Sequence, residues 1–222
     1  MDKSFNENFN KLKRTGLFYL PWIGDNFTNS KTKLLVLGES NYNGPEGWAQ
    51  LRKWNQILVN QNFATLTYEP YKLLINLSKA LHNERDVSSD KKYNFKLAHY
   101  IAFSNIVQRP LKNVNDRPKK DDFINGWKII LNIIKIIKPK NLIIIGVSSI
   151  KILLNIADDV NVKIIKPKKN KNKINGIFPI KFLLQIQNEN INCIAIKHTS
   201  SYFNWHDWHK YIRKNINLQE IV

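Results

Sequence analysis

The chain has 222 residues, 43% of them hydrophobic, with six Trp, eight Tyr and eleven Phe. That suits one domain with a sizeable core and excludes a globally disordered chain. Lys and Arg number 35 against 17 Asp and Glu, a formal charge of +18 that attracts polyanions and makes nucleic acid the expected partner. One cysteine, Cys193, excludes a disulfide framework and any four-cysteine zinc or iron–sulfur site.

The first segment, "MDKSFNENFNKLKR", carries no apolar h-region, so no signal peptide is expected. No apolar run reaches the ~18 residues of a membrane span, and an intracellular (cytoplasmic) protein is expected. The first predicted strand is Lys33–Leu37, running straight into "GESNYNG" (38–44), where almost every residue offers a donor or an acceptor. "EGWAQLRKWNQILVNQ" (46–61) puts Trp48, Leu51, Trp54 and Leu58 at helical spacing. A second helix follows from Glu69 through "EPYKLLINLSKALH". The second strand is Tyr100–Val107, closing on "SNIVQRP".

"DDFINGWKIILNIIKIIKP" opens on two carboxylates and stops at Lys138–Pro139, where proline disfavours continuation. The third strand, Asn141–Ile145, leads to "SSIKILLNIA", a helix whose Ser pair can cap it. Next comes "KIIKPKKNKNKINGIFP". It crowds Lys163, Lys166, Lys168, Lys169, Lys171 and Lys173 and reads as a basic loop (161–176) before another helix, a candidate contact for backbone phosphates. The fourth strand, Asn192–Lys197, contains Cys193, read as a core residue. It runs into "HTSSYFNW", and "WHDWHKYIRKNINL" is the last helix.

Strand–helix alternation predicts an α/β fold: a three-layer α/β/α domain over the whole chain, 1–222, around a central, mostly parallel four-stranded sheet. Ligands of such sheets bind beyond the carboxyl ends of the strands. The three polar motifs all fall there. No GxxxxGK[ST] loop and no GxGxxG occur, so nucleotide triphosphatases and dinucleotide enzymes have no motif support. His206 and His209 are one helical turn apart, but no third ligand is in register, so no metal is assigned.

In their order the motifs resemble the uracil-DNA glycosylase superfamily. "GESNYNGPEG" is similar to the GQDPYHGPGQ loop of the common branch, with Gly38, Tyr42, Gly44 and Pro45 matching. Glu39 looks like the GE-x-PG loop of the thermophile-type, iron–sulfur branch. "FSNIVQRPLKNVNDRP" resembles that branch's TNVVKCRPPGNRxP, "KPKNLIIIGVSSIKIL" its PKVIVxLGxxAAxxL, and "HTSSYFNW" the HPS motif. Together they span most of residues 33–210. The departures are Ser40 for the water-activating Asp, Asn41 for Pro, Asn43 for His, Thr199 for the HPS proline, and one cysteine where the cluster needs four. The resemblance therefore implies a cluster-free member with no cofactor.

It also implies the activity: a monofunctional DNA glycosylase that cuts the N-glycosidic bond of uracil or a modified pyrimidine and leaves an abasic site. Repair, or defence against viruses with modified DNA, would be its setting. Cutting that bond develops positive charge on the sugar and negative charge on the base, so an anion is needed near one and a donor near the other. Glu39 and His198 are the candidates for these catalytic roles. Asn105, Tyr42, Ser40 and Asn43 would recognise the base, Asn105 because one amide carries both donor and acceptor. Ser200 and Ser201 resemble the hydroxyls that pinch a phosphate. Tyr202 or Phe203 could wedge into the stack of DNA whose target base must be extruded. Trp48 or Trp54 could stack on the base, although their spacing also suits a core. Arg109, Lys168 and Lys169 complete the candidate DNA contacts. The partner would be single- or double-stranded DNA. The alternative is a non-catalytic nucleic-acid-binding protein on the same scaffold, which Ser40 favours and Glu39 disfavours.

Overall fold

The computed structural model describes residues 2–41, 72–85, 87, 97–113, 115–169, 171–200 and 202–221. Along the chain run α1 (Asn6–Leu12), a 3₁₀ turn (Lys13–Thr15), β1 (Trp22–Ile23), β2 (Leu34–Gly38), α2 (Lys72–His82) and β3 (Ile101–Asn105). Then follow α3 (Lys120–Ile137), β4 (Asn141–Ile145), α4 (Ser148–Ile156), β5 (Val162–Lys169), β6 (Ile180–Ile186), β7 (Glu189–Ile196) and α5 (Trp205–Asn215).

All seven strands join one mixed sheet in the order β1-β3-β2-β4-β7-β6-β5. The pairs β3–β2, β2–β4 and β4–β7 are parallel, whereas β1–β3, β7–β6 and β6–β5 are antiparallel. The α/β class is as expected; the four-stranded sheet is corrected to a seven-stranded mixed one. Three added strands, β1, β5 and β6, make the difference.

The parallel strands read as unbroken apolar runs because both of their faces are covered. Successive side chains point to opposite sides, so Leu35, Leu37, Leu142, Ile144, Cys193 and Ala195 join α1, α3 and α4 in one apolar cluster. Leu34, Val36, Ile143, Ile145, Ile194 and Ile196 join α2 and α5 in the other. Cys193 is fully buried, as expected of a core residue, and burial pushes its thiol well above the ordinary range.

The segment 161–176 is not the basic loop expected, and no helix follows it. Val162–Lys169 forms β5, antiparallel to β6, and "KFLLQI" continues as strand. Phe182, Leu184 and Ile186 are buried at period two, the mark of a strand with one face on the core. Pro167, which cannot donate to a ladder, falls inside the register shift between Ile165 and Lys168. Clustered lysines hid the strand.

α3 starts at its carboxylates: Asp122 accepts the Lys119 N–H at 2.8 Å. It ends at Lys138 in the left-handed region, before Pro139. The expected serine cap of α4 is absent; Val147 occupies the cap position without a side-chain bond, and Ser148 opens the helix. The predicted helix 46–61, with Trp48 and Trp54, lies outside the described residues. Among the described residues no helix is long and apolar enough to cross a membrane.

Candidate functional site

In chain order β2 is followed by β3 on one side, while β4 adds on the other. The crossovers reverse direction at the carboxyl end of β2, the place where an open α/β sheet leaves a crevice. Gly38 and Glu39 occupy that point. The loop after β2 runs beside the loop after β3: Gly38, Glu39 and Asn41 carbonyls accept from the N–H groups of Ile106 (3.0 Å), Val107 (2.9 Å) and Leu111 (3.0 Å). Residues 38–41 of the polar motif are thus a hydrogen-bonded ledge, and Glu39 and Ser40 sit half-buried on it.

Asn105 closes β3 opposite Gly38 and is 3% exposed. A Cβ on Gly38 would stand 2.2 Å from Asn105 Oδ1, so the missing side chain is the seat of the Asn105 amide. Among the described residues that amide has no hydrogen-bond partner. The Asn105 carbonyl accepts from Gln108 Nε2 at 2.7 Å, and Gln108 Oε1 takes the Phe18 and Tyr19 N–H groups at 3.1 and 3.0 Å. One buried glutamine thereby ties the N-terminal segment to the site loop.

The turn after β4 lies between Glu39 and His198. Gly146 has φ +98, a conformation that favours glycine, and Glu39 Oε2 would be 3.8 Å from a Cβ there. Ser148 Oγ donates to Glu39 Oε2 over 3.5 Å, a long contact. The Glu39 carboxylate therefore stands by the first residue of α4, where the helix dipole favours an anion.

His198 follows β7. Its Nδ1 lies 2.7 Å from Ser200 Oγ and accepts the Ser200 N–H at 3.4 Å, which assigns the ring proton to Nε2. Burial lowers its pKa; Glu39 pulls it up and the Arg117 guanidinium pushes it down. The imidazole is accordingly a neutral donor at pH 7, near enough to Glu39 to feel its charge. Thr199 anchors the loop: fully buried, it donates from Oγ1 to the Leu73 carbonyl (2.8 Å) and accepts Asn76 Nδ2 on its own carbonyl (2.6 Å). Thr199 therefore fastens the loop to α2.

Other candidates sort themselves. Tyr202 is 90% exposed, with φ +48, whereas Phe203 is buried and stacks on Trp208 at 5.9 Å, so of the two expected wedge residues Tyr202 is the exposed one. Arg109 is not free for phosphate: its guanidinium holds Asp116 (2.9 and 3.3 Å) and Asp122 (3.0 and 3.0 Å). These bonds make Arg109 the clasp of the β3–α3 loop. Lys168 and Lys169 lie in β5 and pair with Lys181 and Ile180. Tyr42, Asn43 and Ser201 lie outside the described residues. His209 is 6% exposed with Nδ1 donating to the Ala80 carbonyl at 2.8 Å, so it joins α5 to α2. Among the described residues no cluster of three or more His, Cys, Asp or Glu could hold a metal.

Sequence reading did not single out Gly38 as a seat, Gly146, Ser148, Gln108 or Arg117 as site residues. A glycine directly after an apolar strand was the available signal for Gly146. Nothing local marks Gln108 as the tie to the N-terminal segment, because the two N–H groups on its Oε1 lie 89 and 90 residues away. No family model matches the chain, and no curated protein matches it.

Proposed function

We propose that this protein is a monofunctional DNA glycosylase on a uracil-DNA glycosylase-like scaffold, hydrolysing the N-glycosidic bond of uracil or another altered pyrimidine. The observation that carries this reading is the meeting of three unlike groups at one sheet edge. They are the Glu39 carboxylate, the neutral His198 ring with its proton on Nε2, and the buried Asn105 amide, which has no hydrogen-bond partner among the described residues. They match the needs of the reaction. Glu39 orients water toward C1′ and stabilises the positive sugar. The C1′–N bond breaks, its electron pair leaving with the base, and His198 Nε2–H donates to the base oxygen where negative charge gathers. Asn105 pairs with the edge of the extruded base. The water supplies hydroxyl to C1′ and its proton goes to the departing base, so no redox partner is required.

The test is base release from DNA carrying uracil, hypoxanthine, hydroxymethylated cytosine or glucosylated cytosine, read as alkali-labile sites. Activity on one of these should fall by about 10²-fold or more in Glu39→Gln and in His198→Ala, the usual scale for a positioned proton-transfer group. Full activity in both variants overturns the site assignment. Ser40, half-buried where the common branch has its aspartate, favours a second reading: a binder without catalysis on the same scaffold. That reading requires DNA affinity with no release from any base in the panel.

A further inference from the structure

The antiparallel additions are not neutral decoration. β6 pairs with β7 so that Ile180 faces Ala195, and β5 pairs with β6 so that Lys169 faces Ile180. The lysine-rich end of β5, residues 171–179 and the start of β6 therefore reach the same sheet edge as His198. Lys163 lies at the other end of β5, toward the far edge. Along the connection, Lys171 and Lys173 are exposed, and Lys173 Nζ rests 5.1 Å above the Phe178 ring. Lys181, beside it on β6, is exposed as well.

This connection is fastened to the site. Asn175, with φ +52, accepts Lys197 Nζ on its carbonyl (3.1 Å) and the Asn204 N–H on Oδ1 (2.8 Å). Lys197 and Asn204 bracket the loop that carries His198, Ser200 and the exposed Tyr202. An arm of like charge thus stands at a fixed distance from the groups assigned to the flipped nucleotide. The opposite flank of the site carries exposed Lys112, Arg117, Lys119 and Lys120 in the β3–α3 region.

We propose that the β5–β6 arm, through Lys171, Lys173 and Lys181, binds the phosphate backbone of DNA on one side of the target nucleotide. It extends the footprint beyond the β7–α5 loop. The inference rests on the glycosylase reading only for the position of the target. Backbone binding itself needs no altered base, because phosphate contacts are blind to sequence. Each lysine on a phosphate releases counterions, so it adds about 0.9 to the slope of log affinity against log salt on duplex DNA.

The experiment measures affinity for an unmodified 30-base-pair duplex across a salt series. It compares the intact protein, Lys171→Gln/Lys173→Gln, and Lys140→Gln/Lys214→Gln. The last pair removes two exposed lysines from the opposite edge of the sheet, at the start of β4 and the end of α5. All four side chains are exposed, and an unchanged thermal melt confirms an intact fold. The arm variant should lose about 1.5 to 2 from the slope and weaken binding equally on duplexes of any sequence. The opposite-edge variant should keep the slope of the intact protein. An unchanged slope in the arm variant overturns the proposal, and so does an equal loss in both variants, which would mean diffuse attraction. Because no base is released in this measurement, its outcome stands apart from that of the glycosylase assay.

Discussion

At Gly38 the absence of a side chain is itself a requirement. Its would-be Cβ falls 2.2 Å from Asn105 Oδ1, so Gly38→Ala must push the asparagine off its seat. The overpacking should cost about 1–3 kcal/mol, read from denaturant unfolding, and base release should fall further than in Asn105→Ala if the seat and the amide act together. His198 gives the site a pH signature. Burial sets its native pKa below the ordinary imidazole value of about 6.5. The unfolded chain then binds more protons between those two values, so stability is full above ~6.5 and falls as pH drops toward the native pKa. The acid limb of kcat/KM for the free enzyme should likewise lie below 6.5, moving upward toward it in Arg117→Gln, because that guanidinium helps to keep the ring neutral. A ring titration by NMR at or above the ordinary value contradicts the depression that burial imposes on His198.

At the scale of elements, the β3–α3 connection shows a residue read as a ligand serving as a clasp. Arg109 joins Asp116 of the loop to Asp122 at the start of α3, and Asp122 also receives the Lys119 N–H. Arg109→Gln should lower Tm by a few degrees and leave the DNA salt slope intact, since a guanidinium already paired has little to offer a phosphate. The Arg109 hydrogen bonds hold both aspartates below the ordinary carboxylate range. Their contribution is present above the unfolded value of about 3.9 and is lost as pH falls through the lower native values. The intact protein should therefore lose more stability than Arg109→Gln between pH 5 and pH 2, measured by urea unfolding. The same element carries Arg117 toward His198, so a loosened clasp should also soften the pH profile of the site.

At the scale of the molecule, charge and exposure say how the protein would sit on DNA. Among the described residues the site edge carries cations on both flanks and one large aromatic, Tyr202, standing almost wholly in solvent beside the His198 loop. Tyr202→Ala should leave stability within about 0.5 kcal/mol of the intact protein, as surface changes do. It should reduce base release from duplex DNA well beyond its effect on single strands, since only the duplex must be unstacked. Equal losses on both substrates would assign the tyrosine to the pocket rather than to the stack.

The sequence by itself determined the apolar parallel strands, the helices α3 and α5, and the gathering of chemistry at strand ends. These are local signals: unbroken apolar runs, helical spacing, and polar residues where a strand stops. It missed β5 and β6, because lysines on the open side of a half-covered strand look like loop, and it could not tell Arg109 the clasp from Arg109 the ligand. It could not see that Gly38 exists for Asn105, or that Gly146 opens the space between Glu39 and His198. Those facts belong to the tertiary structure. A seat, a clasp or a gap is a relation between residues tens of positions apart, and only the register of the sheet brings them together.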